Sequence, residues 1–121
     1  KNLNKLILYM NQYEIWLADL NPQIGTESGK VRPVVIVQTN FLNEIAHPST
    51  IICPITTKLN NKSDILRIRI NKGNCGLNEN SDIMIDQIRA VENSRFVKKI
   101  GFVTNEIKLK IQENIKNVLD F

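Results

Sequence analysis

Three short polar segments of this sequence carry side chains that could bind or transfer charge. The first holds Glu27, Lys30 and Arg32 and leads into an unbroken apolar run. An arginine can donate two parallel hydrogen bonds to phosphate oxygens, a threonine hydroxyl can donate one, and an enclosed glutamate can accept a proton. The other two segments contribute Thr56, Thr57 and Lys58, and Ser81, Asp86, Gln87 and Arg89. These residue types suit the stabilisation of a phosphoryl group.

Such chemistry needs few protein groups when the substrate supplies its own nucleophile. RNA carries one, the 2′-hydroxyl, so that cleavage without a metal ion would require only a base, an acid and a cation to hold the phosphate. Arg32 and Thr56 could hold the phosphate, and Glu27 could take a proton. The residues alone favour a simpler interpretation, in which Arg32 and Glu27 form a surface ion pair.

Other kinds of catalytic and metal site are disfavoured by the residue types present. His47 is the single histidine, and no nucleophile-elbow motif marks a serine, so a Ser-His-Asp triad is not indicated. Cys53 and Cys75 have neither metal-ligand nor redox spacing. Residues 25–30 resemble a phosphate-binding loop superficially, but the spacing is wrong and no helix is predicted to follow. The sequence therefore predicts no metal ion and no cofactor.

Length, composition and charge set wider bounds. A chain of 121 residues with 42% hydrophobic content has room for one domain with its own core. The net charge of +4 at pH 7 permits binding to a nucleic acid or to an acidic partner, without requiring either. No stretch reaches the roughly 18 apolar residues that cross a bilayer, and no secretory cleavage site follows the N-terminal segment. We therefore predict a cytoplasmic protein with no membrane partner.

The chain is predicted to consist of a short N-terminal extension and one domain. Residues 1–9 precede Met10, which could be the biological start, and we predict that they form an extension outside a single domain of residues 10–121. The competing interpretation makes them an extra amphipathic strand or helical turn.

The hydrophobic pattern predicts a mainly β fold. The strand at 33–38 is expected to be buried on both faces, and Pro54 suggests that the strand at 50–55 lies at an edge or contains a bulge. Arg67 and Arg69 share one face of another strand, which is either solvated or turned toward a phosphate. Strands are predicted at 13–19, 33–38, 50–55, 65–70, 81–91 and 96–103, a helical turn within 39–49, and a helix at 104–119. This order indicates a small antiparallel barrel or curled sheet with a C-terminal helix packed on it.

Several of these segments together resemble a known family. They are residues 15–22 (IWLADLNP), 25–37 (GTESGKVRPVVIV), 53–57 (CPITT) and 81–89 (SDIMIDQIR), followed by the isoleucine-rich helix. In this order and spacing they are similar to the MazF/PemK/Kid toxins of bacterial type II toxin–antitoxin systems. The resemblance implies the plasmid-addiction toxin fold, as in CcdB and PemK: a small SH3-like antiparallel barrel with a C-terminal helix, paired as a homodimer.

The same resemblance implies an activity and a set of site residues. The activity is a metal-independent, sequence-specific endoribonuclease that cuts single-stranded mRNA by 2′-hydroxyl attack and leaves a 2′,3′-cyclic phosphate and a 5′-hydroxyl. By position, Arg32 and Thr56 match the family's catalytic arginine and threonine, and Glu27 matches a carboxylate that only some members need. The RNA-binding set is then Lys30, Thr57, Lys58, Ser81, Gln87 and Arg89.

The resemblance also implies partners and leaves alternatives. The partners are an acidic, partly disordered cognate antitoxin and, only as the toxin–antitoxin complex, operator DNA. One alternative is a toxin of the same fold that poisons DNA gyrase and cleaves nothing. Another is a catalytically silent relative that serves as a binding module. The joint presence of Arg32, Thr56 and Glu27 favours the nuclease, because a gyrase poison has no use for a group that binds phosphate.

Overall fold

A computed structural model describes residues 10–26, 29–45, 47–63 and 66–120 of the chain. The predicted N-terminal extension, residues 1–9, lies outside the described residues. Glu27, the predicted carboxylate of the site, lies outside them as well.

Seven antiparallel strands form one sheet. They are β1 (Glu14–Asp19), β2 (Val31–Ile36), β3 (Ser49–Thr56), β4 (Arg67–Ile70), β5 (Ser81–Met84), β6 (Arg89–Glu92) and β7 (Phe96–Phe102). Their order in the sheet is β4-β5-β3-β2-β1-β7, with β6 paired to β3 beside this path. In the described part of the chain, β4 and β7 end the path without pairing to each other, so that the sheet is curled and not closed. The mainly β fold with a C-terminal helix is confirmed.

The central strand is β3, which exchanges partners along one of its sides. On that side residues 49–52 pair with β6, whereas Ile55 and Thr56 pair with β5. The other side of β3 pairs with β2, in the register Val34↔Pro54. Of the two predicted explanations for Pro54, the edge strand is therefore wrong, and the β2–β3 register reaches Pro54 without the shift that a bulge would cause. On the side of β5 and β6, Pro54 lies in the interval between the two partners, where no registered pair requires its N–H, and this makes a proline tolerable inside the sheet.

The strand predicted at 81–91 is interrupted, because the 3-10 turn Ile85–Gln87 separates β5 from β6. Ile83 pairs with Ile55, and continuing that register would set Asp86 opposite Ile52. Ile52 instead pairs with Arg89, three residues further on. The two registers therefore differ by three residues, and these are the three residues of the 3-10 turn. The turn directs this part of the segment away from the sheet.

Two apolar clusters lie on opposite faces of the strands. Side chains alternate along β1, so Ile15 belongs to the cluster under the C-terminal helix and Trp16 to the other cluster. In β2, Val34, Val35 and Ile36 are all fully buried, which confirms the prediction of a strand buried on both faces. Because β2 is packed on both faces, it holds the residues at its ends in fixed positions.

The C-terminal helix, α2 (Asn105–Leu119), begins one residue after the predicted start of the segment 104–119. The hydroxyl of Thr104 accepts a hydrogen bond from the Ile107 N–H at 3.2 Å, which is an N-cap. Ile111 is fully buried against the sheet, whereas Leu119 is half exposed. At 100° per residue, position 119 lies about 80° around the helix from position 111, beside the face that packs on the sheet. A short helix, α1 (Asn40–Glu44), forms the predicted helical turn. None of the helices formed by the described residues is long and apolar enough to cross a membrane.

Candidate functional site

A polar cleft of about 490 Å³ lies where β2 begins and β3 ends. Loop residues before β2, the segment after β3 and the 3-10 turn after β5 supply its walls. Six of the predicted site residues line it: Lys30, Arg32, Thr56, Thr57, Lys58 and Gln87. The fold thus brings together residues that lie up to 57 positions apart in the sequence, from Lys30 to Gln87.

Arg32 and Thr56 face each other across two paired strands. Continuing the Val34↔Pro54 register by two residues sets Arg32 opposite Thr56. Side chains alternate between the faces of a sheet, so both lie on the same face. The side chain of Arg32 reaches across to β3, where its Nη1 lies 3.5 Å from the carbonyl oxygen of Ile55. Strand pairing therefore sets the relative position of these two side chains.

The guanidinium of Arg32 is anchored by backbone carbonyl groups. Its Nε donates to the Gly29 carbonyl at 2.8 Å, and its Nη1 approaches the Ile55 carbonyl. Partial burial lowers the pKa of Arg32, because the cation loses water that would solvate it. Among the described residues, no carboxylate lies within ion-pair distance of this arginine. Since a guanidinium carries five N–H groups and stays charged at neutral pH, the arrangement favours the arrival of an anion.

Among the residues that the structure describes, none accepts the hydroxyl proton of Thr56, which leaves it available for donation. Its Oγ1 accepts a hydrogen bond from the Lys58 N–H at 3.1 Å. This contact uses an acceptor lone pair of the hydroxyl and not its proton. It also curls the chain after β3, so that Thr57 and Lys58 are exposed at the cleft.

The 3-10 turn brings Gln87 across the cleft to the loop before β2. The side-chain Nε2 of Gln87 donates to the Thr26 carbonyl at 3.1 Å. In the same loop, Lys30 has a left-handed backbone, with φ 69°, and its N–H donates to Oδ1 of Asn21 at 2.8 Å. The interruption of the predicted strand is thus what delivers an amide side chain to the site.

Two predicted RNA-binding residues lie apart from the cleft. Ser81 is 3% exposed, and its hydroxyl donates to the Glu79 carbonyl at 2.9 Å. Arg89 begins β6 opposite Ile52 and is not part of the cleft wall. No three His, Cys, Asp or Glu side chains of the described residues are grouped so that they could hold a metal ion.

Asp82 was not among the predicted site residues, and its buried carboxylate binds Arg67, which belongs to the cleft wall. Arg69 Nε donates to it at 2.6 Å and Arg67 Nη1 at 3.3 Å. Burial by itself raises the pKa of Asp82, but hydrogen bonds from Arg69 and the Asn60 N–H, with the charges of both arginines, outweigh it and lower the pKa overall. The arginine face of β4 is therefore neither simply solvated nor simply free for phosphate, because both arginines bind this carboxylate. Arg67 lines the cleft as well.

Comparisons with known proteins agree with this fold. The sequence model of the PemK-like, MazF-like toxins of type II toxin–antitoxin systems matches residues 11–119. A curated relative, Endoribonuclease MazF of Staphylococcus saprophyticus subsp. saprophyticus, is 31% identical over 111 residues, which are 92% of this chain and 88% of the relative.

Solved structures show the same architecture. MazF from Deinococcus radiodurans superposes with a TM-score of 0.80 at 16% identity, covering 94% of this chain and 99% of that one. An endoribonuclease in complex with its cognate antitoxin, from Mycobacterial species, gives a TM-score of 0.72 at 16% identity, with 93% and 95% covered. These likenesses show the fold, and the family match spans nearly the whole chain. The chain therefore belongs to the family of PemK-like, MazF-like toxins of type II toxin–antitoxin systems.

Proposed function

We propose that this toxin is an endoribonuclease that cuts single-stranded mRNA without a metal ion. The observation that carries the proposal is the placement of Arg32 and Thr56 opposite each other on one cleft wall. Membership of the MazF-like family, with a relative named an endoribonuclease, gives the reaction class.

In the proposed reaction the 2′-hydroxyl oxygen attacks the adjacent phosphorus. A new P–O2′ bond forms, the P–O5′ bond breaks, and the products carry a 2′,3′-cyclic phosphate and a 5′-hydroxyl. A base takes the 2′-hydroxyl proton, and an acid returns a proton to the departing 5′ oxygen. Negative charge grows on the non-bridging oxygens in the transition state, so fixed donors aimed at them lower the barrier.

Arg32 and Thr56 are proposed as those donors. The guanidinium is already anchored to the Gly29 carbonyl at 2.8 Å, so it needs little reorganisation when the charge develops. The Thr56 hydroxyl retains its proton for the phosphate. Glu27 is proposed to accept the 2′-hydroxyl proton.

Substrate recognition is proposed for the polar rim of the cleft. Lys30 and Lys58 would contact phosphates, while Thr57 and Gln87 would reach the edges of bases. Bases that are unstacked in single-stranded RNA can offer those edges to side chains, whereas paired RNA hides them in a deep groove. The substrate would therefore be single-stranded, and an mRNA substrate would place the activity in the cytoplasm.

The proposed assembly is a homodimer that an acidic antitoxin neutralises, with operator DNA bound by the toxin–antitoxin complex alone. The net charge of +4 at pH 7 suits an acidic partner. The structure of a similar endoribonuclease with its cognate antitoxin supports a partner of this kind. Val97 and Phe102 are exposed apolar side chains of the end strand β7, which a dimer contact at this strand would cover.

One experiment tests the activity directly. Purified protein is incubated with a long single-stranded RNA in EDTA, and the fragment ends are analysed. Defined fragments with 5′-hydroxyl ends, formed by the wild type and lost in Thr56→Val, would support the proposal. Intact RNA would contradict it, and trapped gyrase–DNA complexes in a parallel assay would assign the chain to the gyrase poisons instead.

A further inference from the structure

The segment that follows β3, residues 57–63, contributes Thr57 and Lys58 to the cleft but has little apolar anchoring. Each residue from Thr57 to Lys62 is exposed. A segment without buried side chains keeps one conformation only if its polar groups are tied to the rest of the protein. Hydrogen bonds to the rest of the protein must therefore hold this segment in place.

The buried carboxylate of Asp82 is the main acceptor of these hydrogen bonds. Its side chain is 1% exposed. Its Oδ2 accepts from the backbone N–H of Asn60 at 2.8 Å and from Arg67 Nη1 at 3.3 Å. A backbone N–H that donates to a buried, ionised carboxylate makes a charge-assisted hydrogen bond, which is stronger than one between neutral groups.

The two arginines that bind Asp82 also donate hydrogen bonds to other residues of the segment. Arg67 Nη1 also donates to the Lys58 carbonyl at 3.1 Å. Arg69 Nη2 donates to Oδ1 of Asn61 at 2.6 Å, while its Nε holds Oδ1 of Asp82. Positions 58, 60 and 61 are thus all held by one network with a single carboxylate at its centre.

We propose that Asp82 is a positioning residue for RNA binding, which fixes residues 57–61 so that Thr57 and Lys58 face the cleft. The inference rests on the proposed function for what binds in the cleft. Asp82 itself touches no substrate, because its carboxylate is buried behind the segment. Arg32 and Thr56 belong to paired strands, and although Thr56 pairs with Asp82 itself, that pairing is made by the backbone and does not need the carboxylate. Loss of the carboxylate is therefore expected to act on substrate binding more than on the chemical step.

The variant Asp82→Asn tests this, because the amide keeps the volume but can satisfy only one side of the network. The oxygen can replace Oδ2 or Oδ1, and in either case the NH₂ group faces an N–H donor. We expect KM for a short single-stranded RNA to rise about tenfold while kcat changes far less, because misplacing a binding group costs affinity. The control is Glu14→Gln, which removes another largely buried carboxylate that binds Trp16 and Lys99 away from the cleft. It should leave KM unchanged.

A second measurement does not depend on activity. Trypsin cuts after lysine, and Lys58 and Lys62 lie within the segment. In Asp82→Asn we expect faster cleavage at these two sites than in the wild type or in Glu14→Gln. In the wild type, the Asn60 amide should exchange its hydrogen slowly although the residue is exposed, and this holds even if the variant fails to fold.

The outcomes separate the two proposals. If the wild type cuts no RNA, the proposed function fails, while trypsin cleavage and amide exchange still decide whether Asp82 holds the segment. Unchanged cleavage at Lys58 and Lys62, or fast exchange at Asn60, would overturn the inference. A freed segment with an unchanged KM would overturn it as well, because the segment would then not serve RNA binding.

Discussion

Arg32 on β2 reaches the end of β3, where its Nη1 lies 3.5 Å from the carbonyl oxygen of Ile55. Ile55 immediately precedes Thr56, so this contact joins the two residues proposed to hold the phosphate. Both strands pass through the buried middle of the sheet, and packed strands move little. The proposed donors are therefore preorganised by the core, while exposed segments form the rim of the cleft around them.

Replacing Arg32 with lysine separates charge from geometry. Lysine keeps the positive charge but has no planar fork, and it cannot reproduce the contact with the Gly29 carbonyl and still donate twice to a phosphate. We expect Arg32→Lys to lower the cleavage rate by about tenfold, with little change in thermal stability. A rate equal to that of the wild type would show that charge alone is sufficient.

Thr56 offers a matched pair of substitutions. Thr56→Val keeps the shape and removes the hydroxyl, whereas Thr56→Ser keeps the hydroxyl. We expect the valine variant to lose at least about tenfold in single-turnover rate and the serine variant to lose far less. Equal losses in the two variants would assign the role of Thr56 to packing.

The stability of the fold should depend on pH through Asp82. Its pKa is lowered in the folded protein, so its contribution to stability is present above the unfolded pKa and is lost as the pH falls through the folded pKa. Urea unfolding should therefore give a smaller free energy of unfolding below about pH 4 than at pH 7. Asp82→Asn should be less stable at pH 7 and should show a flatter dependence on pH. An equally steep dependence in this variant would assign the effect to other carboxylates, such as Glu14, whose pKa is also lowered.

The packing of α2 on the sheet can be tested by substituting one buried and one exposed residue of this helix. Ile111 is fully buried, whereas Leu109 is 57% exposed. We expect Ile111→Ala to lower the free energy of unfolding by about 3 kcal/mol, because it leaves a cavity, and Leu109→Ala to change it by less than about 0.5 kcal/mol. Similar losses at both positions would contradict the packing of the helix described above.

The sequence predicted well those strands and helices that are determined by residues close together in the chain. The apolar run after Pro33 could only be buried, and the cap at Thr104 fixes the start of its helix with a contact three residues away. Arg32 and Thr56 were candidates by residue type, the resemblance to a family singled them out, and the β2–β3 register brings them together. No local pattern could have given that register.

The parts that the sequence did not predict depend on contacts between distant segments. Ile83 and Ile85 alternate as in a strand, but the next isoleucine is Ile88, three residues on. This break in the period is a weak local sign of the turn, which arises because β5 and β6 pair with different parts of β3. Asp82 resembled an ordinary polar residue at a strand start. Its importance comes from Arg67 and Arg69, which face it only once β4 and β5 are paired.

The central claim is that Arg32 stabilises the phosphate while RNA is cut. The most direct test is the single-turnover cleavage rate of a single-stranded RNA in EDTA, compared between the wild type, Arg32→Ala and Lys116→Ala, an exposed lysine of α2. We predict a loss of at least about 10²-fold for Arg32→Ala and a wild-type rate for Lys116→Ala. A near-normal rate for Arg32→Ala would contradict the proposed mechanism.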